Sequence, residues 1–278
     1  MIRILVDSAA DYTLKELKAK NIEMVPLTVT LEDKTYLDVI ELERNHFYEM
    51  LASTENFPKT SQPSPRFFEN VFKDAKEKGD DVICILLSSG LSGTCQSAHL
   101  AKNMVDYDNI YIIDSLSATI AIKIMADYAD KLRKLNVPVG TIVEKVEEMK
   151  LRTKIFAAID TLEYLQKGGR ISKAAAAIGS LANLKPIITI TEEGKIAIPA
   201  KCIGRNKAIA AILKLVEEHP IDTEFPVYPI YTYGIENSEK LIAKCAKESI
   251  SCADIQQVGS TIGAHIGAGA YGLIYVTK

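Results

Sequence analysis

The 278-residue chain lacks several signatures that would decide its class at once. Its five cysteines, Cys84, Cys95, Cys202, Cys245 and Cys252, form no C-x-x-C pair and are odd in number. Three lie in apolar or helix-like runs, so the pattern reads as buried free thiols in a reducing compartment rather than a disulfide framework. No apolar stretch approaches the ~20 residues that span a bilayer. The apolar run at Met1 to Val6 is too short for the h-region of a signal peptide, so a cytoplasmic location is expected. Net charge is -3, so there is no general electrostatic reason to expect nucleic acid as a partner.

Familiar catalytic and cofactor motifs are missing too. His46, His99, His219 and His265 stand far apart, and no His or Cys cluster has metal-ligand spacing. Gly194-Lys195 is followed by Ile, so it is no P-loop. Gly267 to Gly272 matches G-x-G-x-x-G, but the chain continues as a strand rather than a helix, which excludes a dinucleotide site. No internal repeat or low-complexity tract appears.

What is present is an ordinary globular balance, 47% hydrophobic and 25% charged, enough for one large or two modest domains. The densest feature is Ser88-Ser-Gly-Leu-Ser-Gly-Thr-Cys-Gln-Ser97, between the apolar run Val82 to Leu87 and a segment with Ala98, Ala101 and Val105 at helical spacing. This reads as a strand-to-helix turn. The first N–H groups of a helix have no intrahelical partner and carry the positive end of its dipole. Such a turn either caps its own helix with a hydroxyl or serves as a cup for a carboxylate or phosphate, with Ser92 and Thr94 adding donors.

Ile2 to Val6 predicts a first strand ending in Asp7-Ser8, and Ile110 to Ile113 predicts another ending in Asp114-Ser115. Ile22 to Leu31 reads as one extended run. Three prolines, Pro58, Pro63 and Pro65, predict an exposed stiff loop over 57–65 that belongs to neither helix nor sheet. Strands alternating with helices imply a mainly parallel sheet flanked by helices, with ligands outside the carboxyl ends of its strands. Asp7, Asp11 and Asp114 are candidates for Mg²⁺ binding or acid-base work, against ordinary turn duty after a strand.

A domain boundary is expected near 150, giving an N-terminal α/β domain over 1–150 and a C-terminal α/β domain with a mixed sheet over 151–278. In the second, Leu184 to Ile190 and Lys195 to Pro199 read as a hairpin. Ile209, Ile212, Leu213 and Val216 mark a helix. His265 falls in a glycine-rich turn, Gly263 to Gly269, where backbone can approach a ligand closely. Gly90-Leu-Ser-Gly-Thr94 misses the nucleophile-elbow pattern only at its last position. A serine hydrolase or acyltransferase using Ser92 with His265 is therefore an alternative, as is a phosphotransferase using the aspartates.

Taken together, Asp7-Ser8-x-x-Asp11, Thr60-Ser-Gln-Pro-Ser64, Ser88 to Thr94 with Gln96-Ser97, Ile113-Asp-Ser115, Tyr164-Leu-Gln-Lys-Gly-Gly-Arg-Ile171 and His265-x-Gly-x-Gly269 resemble the bacterial DegV family. The match runs in order over essentially the whole chain. The resemblance implies a two-domain α/β protein that binds one long-chain fatty acid in a tunnel between or within the domains. It further implies a carrier, not itself an enzyme, that presents the carboxylate to the catalytic subunit of a fatty acid kinase. By the same resemblance the head-group ligands are Thr60, Ser92 and His265, with Ser61 and the N–H groups of Gly93 and Thr94 beside them. Neither a metal nor a cofactor is implied.

The chemistry suits that assignment. Burying about fifteen methylenes at ~0.8 kcal/mol each yields roughly 12 kcal/mol gross, so the tail supplies affinity. The carboxylate must still be satisfied, and hydroxyls and amides can do so at about 1.5 to 3 kcal/mol per bond without an ion pair. That leaves it free to accept a phosphoryl group, which a bidentate Arg clamp would hinder. Lys167, Arg170, Lys173, Lys201, Arg205 and Lys207 form a candidate basic patch, with Arg170 and Arg205 the favoured kinase-docking residues on the strength of the resemblance. The run Ala174 to Ser180 leaves room for a tail or for close helix packing. Ser117-Ala-Thr-Ile-Ala121 departs from the family in lacking a glycine, and its β-branched residues are expected to narrow the cavity.

Overall fold

The computed structural model describes residues 1–172 and 183–278. The expected small-residue helix from Ala174, and Lys173 of the basic patch, lie outside the described residues. The first sheet has four strands in the order β2-β1-β6-β7, all parallel, with β1 Ile2–Asp7, β2 Ile22–Val25, β6 Asp81–Leu86 and β7 Ile110–Asp114. Alternation decides its two faces. Leu5, Val82, Cys84 and Leu86 face α3 (Pro65–Lys78) and α4 (Thr94–Val105), while Ile4, Val6, Ile83 and Ile85 join a second core on the opposite side. Strands buried on both faces explain the near-continuous apolar runs.

The helices end where the sequence directs. α3 starts with Ser64 as N-cap and Pro65 in the first turn, and Gly79 closes it at φ +68, a conformation open to glycine. A short helix α1 (Leu14–Lys20) opens with a full capping box between Thr13 and Glu16.

The second sheet has six strands in the order β10-β9-β8-β13-β11-β12 and is mixed: β8 Thr153–Ala158, β9 Leu184–Ile190, β10 Ile196–Ile203, β11 Tyr228–Tyr231, β12 Gln256–Gln257 and β13 Tyr271–Val276. All its pairings are antiparallel except β11 with β12. α8 (Arg205–Glu218) and α9 (Glu236–Lys247) cover one face over Phe156, Ile187, Leu273 and Tyr275. The other face turns toward the first sheet. Between the two sheets lies α5 (Ile120–Lys134), buried from Ile120 through Ala126 and packed on β1, β6, β8 and β13. One hydrophobic core therefore runs through both sheets. α6 (Val139–Arg152) carries the chain from one to the other.

Three sequence expectations are corrected here. Residues 22 to 31 are two strands, because Pro26 ends β2 and the chain turns into a separate antiparallel sheet, β4-β3-β5. There β3 (Thr28–Leu31) pairs with β4 (Lys34–Leu37) and with β5 (Lys59–Ser61). The proline-rich segment thus contains a strand: β5 is three residues long and fits between Pro58 and Pro63, so no ladder donor is lost. The glycine-rich segment around His265 is a helix, α10 (Ser260–Ile266), rather than a turn. Gly263 suits it because a Cβ there would come within 2.4 Å of the Tyr48 hydroxyl on α2 (Arg44–Ser53).

Candidate functional site

The loops that build the site are braced by carboxylates at the ends of the parallel strands. Asp7 is fully buried; its Oδ1 accepts from the Ala9 N–H at 3.0 Å and its Oδ2 from the Leu87 N–H at 2.6 Å. Burial nevertheless raises its pKa to about 7, outweighing both backbone bonds. Asp114 Oδ1 accepts from Ser89 and Leu116 N–H groups. These aspartates fasten the loop after β6 to its neighbours. Among the described residues no group of three or more His, Cys, Asp or Glu is placed to hold a metal ion.

Ser88 then donates to the carbonyl of Gly194 at 2.8 Å, across to the β9–β10 hairpin turn. The approach is close enough that a Cβ at Gly90 would lie 2.6 Å from that carbonyl oxygen, so the loop and the hairpin turn lock together only because both contain glycine.

The hydroxyl-rich turn does not cap its helix. Gly93 is the N-cap of α4 and no side chain caps it; Ser92 and Thr94 hydrogen-bond each other at 2.8 Å instead. Among the described residues no side chain caps this helix, and its N-terminus lies beside two mutually paired hydroxyls.

From the other side come Thr60 of β5 and His265 of the last turn of α10, 2.7 Å apart between Thr60 Oγ1 and His265 Nε2. The imidazole is 8% exposed; among the described residues its Nδ1 has no hydrogen-bond partner, and it lies against Gly168, where a Cβ would stand 2.2 Å away. Gly168 follows α7 (Glu163–Lys167). Burial, with the Arg170 charge adding to it, lowers the His265 pKa to about 4, so the ring is neutral at physiological pH. Such a ring is a weak general base, and it is turned to Thr60 while Ser92 pairs with Thr94.

Thr60, Ser92, His265 and Arg170 meet at one end of a narrow cavity of about 70 Å³ between the two sheets. Away from these groups its wall is mainly aliphatic, including Leu27, Leu87, Ile155, Ile188, Ile230 and Val258. Part of its floor is a row across the second sheet in which Ala157 and Gly272 lie side by side between Ile188 and Ile230. Small residues there leave the depression. Outside the polar end a broad groove opens between residues 89–93, residues 169–172 and β10.

Not every expected residue joins this group. Ser61 alternates away from Thr60 on β5 and is exposed; Thr94 sits buried behind Ser92, and Gly93 lines the outer groove. Arg170 is half-buried at the junction of cavity and groove, its guanidinium donating to the Leu91 carbonyl at 3.0 Å and to the Gly168 carbonyl. Lys201 lines the outer groove, whereas Arg205 is exposed at the start of α8, beyond the other end of β10. Sequence reasoning missed Gln62, which lines the cavity, donates to Ser97 Oγ at 2.9 Å and packs its Oε1 over Gly93. Its place between Ser61 and Pro63 in the hydroxyl-rich segment was the available signal.

With this geometry in hand, comparison with known proteins gives one consistent answer. The family described as "Uncharacterised protein, DegV family" matches residues 1–278. A DegV domain-containing protein of Caldanaerobacter subterraneus subsp. tengcongensis is 34% identical over 279 residues, covering 100% of this chain and 99% of that one. Among solved structures, DegV of Bacillus subtilis, described as a fatty acid binding protein, superposes with a TM-score of 0.86 at 33% identity, over 100% of this chain and 99% of the other. A stearic acid-binding protein from Eubacterium ventriosum superposes at 0.90 with 26% identity and the same coverage.

Proposed function

The chain belongs to the DegV family, and on that premise we propose that it binds a long-chain fatty acid, the carboxylate at Thr60, Ser92 and His265 and the tail in the cavity between the sheets, which widens from about 70 Å³ to take it. The observation that carries this reading is the aliphatic cavity ending in those three side chains. Structural relatives described as binding fatty acids, among them stearic acid, support it. In this reading residues 1–150 and 151–278 are two units: the first supplies Thr60 and Ser92, the second His265.

A neutral imidazole, two hydroxyls and the first N–H groups of α4 would satisfy a carboxylate with hydrogen bonds, each worth about 1.5 to 3 kcal/mol to a charged group. The protein is then a carrier and not by itself an enzyme. Its cargo is presented to the catalytic subunit of a fatty acid kinase in the cytoplasm, Arg170 and Arg205 contributing to docking. Arg170 suits this role because it lies between the head-group end of the cavity and the outer groove.

Native mass spectrometry of the purified protein, followed by denaturing extraction, tests the binding step. A stoichiometric long-chain fatty acid is the expected result; a bare protein that also refuses added stearic acid would sink the proposal. For the coupling step, Arg170→Ala is expected to lower acyl-phosphate formation by added kinase subunit more than it lowers fatty acid binding. Unchanged coupling removes Arg170 from the docking surface.

A further inference from the structure

Beyond the head-group cluster and Gln62 beside it, the cavity wall carries three threonines, Thr119, Thr189 and Thr261, and two of them, Thr119 and Thr261, are bonded to buried carboxylates. Thr261 precedes His265 by one turn of α10, on the same face and about 6 Å along the axis. Its hydroxyl donates to Asp38 Oδ2 at 2.6 Å, and the Thr119 hydroxyl donates to Asp11 Oδ2. Asp11 and Asp38 are buried and close enough to repel each other, so the two threonines converge on one carboxylate pair. Among the described residues Asp11 Oδ1 and Asp38 Oδ1 lack a well-formed hydrogen bond, while the Gly259 N–H approaches Asp11, the Ser8 and Ser260 hydroxyls approach Asp38, and the Arg44 charge offsets the burial of both.

An unsubstituted tail gains nothing from this arrangement. Valine would fill the same volume without requiring two carboxylates behind the wall, each costly to bury. A threonine whose proton is committed to a carboxylate is left as an acceptor only. The wall therefore offers oxygen lone pairs, about one helical turn inward from the head group, to whatever lies in the cavity. A ligand hydroxyl donating to such an oxygen completes a chain from hydroxyl to threonine to carboxylate, in which each bond polarises the next.

We propose that the cavity takes long-chain fatty acids bearing a hydroxyl group on one of their inner methylenes, seated against Thr119 and Thr261, as well as unsubstituted chains. This rests on the fatty-acid reading of the site. The class follows from the wall chemistry: an alcohol can donate to a bound threonine oxygen, whereas a keto group or a double bond cannot.

The test is displacement of radiolabelled stearic acid from the full-length protein by stearic acid and by hydroxystearic acids with the hydroxyl at successive positions. At one or two inner positions the hydroxy acid is expected to bind within about threefold of stearic acid, while a hydroxyl toward the methyl end, unpaired in an aliphatic wall, binds roughly ten- to a hundredfold more weakly. Thr261→Val is expected to lower the ratio of inner-hydroxy to stearic affinity about tenfold. A penalty of tenfold or more at every position overturns the inference while stearic acid binding upholds the fatty-acid reading. If stearic acid and the whole series fail to bind, both fall. The wild-type series decides the matter even if the variant does not fold.

Discussion

His265 Nε2 lies 2.7 Å from Thr60 Oγ1, joining positions 205 apart in the chain. The bond ties the small antiparallel sheet of the N-terminal half to the last helix of the C-terminal half. It does so at the mouth of the cavity.

Removing the hydroxyl from that pair should cost affinity. Thr60→Val is expected to weaken stearic acid binding by roughly ten- to a hundredfold, the loss of one hydrogen bond to a charged group. Isothermal titration would show it, and an unchanged affinity would exclude Thr60 from the head-group site.

Gly168→Ala tests the positioning of the imidazole rather than its chemistry. The new Cβ would stand 2.2 Å from His265 Nδ1, and the ring must move. The glycine has φ -72, so no backbone strain accompanies the change. Stearic acid affinity should fall by about tenfold or more, with the displaced ring visible in a crystal structure of the variant.

Blocking the floor should remove the tail site. Ala157→Phe projects a ring into the row between Ile188 and Gly272, at a stability cost of about 1–3 kcal/mol from overpacking. Purified variant is expected to carry no lipid although its circular dichroism stays that of a folded protein. Lipid retained at full stoichiometry would mean that the tail runs elsewhere.

His265 should remain neutral across the physiological range. With its pKa lowered to about 4 from the ordinary 6.5, its ring-proton resonance should show no titration between about pH 5 and pH 8. A midpoint near 6.5 would show that the ring is solvated.

Asp7 and Asp11 give stability a pH dependence of definite sign. Burial raises their pKa values to about 7 and about 6 from 3.8, so the folded state holds these protons more tightly than the unfolded chain. Their contribution is fully present below about pH 4 and is lost as pH rises through 6 to 7. His265 acts oppositely, its contribution present above 6.5 and lost as pH falls toward 4. Urea midpoints across this range should show a shallower decline with rising pH in Asp11→Asn than in wild type.

Much of the architecture was legible because it is local. Val82 to Leu87 followed by Ser88 to Thr94 is a strand and a turn on composition alone, and the repeated Asp-Ser after β1 and β7 marks two strand ends. Pro65 and Gly79 bound α3 by backbone preference. β5 was not legible, since three residues between prolines form a strand only when β3 supplies the ladder. α10 was hidden by Gly263 and the glycines that flank it, and the place of Gly263 in the helix is set by its close packing against Tyr48.

The sequence by itself determined the residue types at the polar end of the cavity, because hydroxyls and glycines concentrated in a few short stretches are a local property of the chain. Only the tertiary structure decided which of them face one another. Thr60 meets His265 and Ser61 does not, since strand alternation on β5 permits one alone to point inward. Arg170 lies at the mouth and Arg205 lies beyond the far end of β10, although both read as members of one basic patch. Distance along a chain carries no information about which surfaces two sheets enclose; that is settled by the packing of α5 between them.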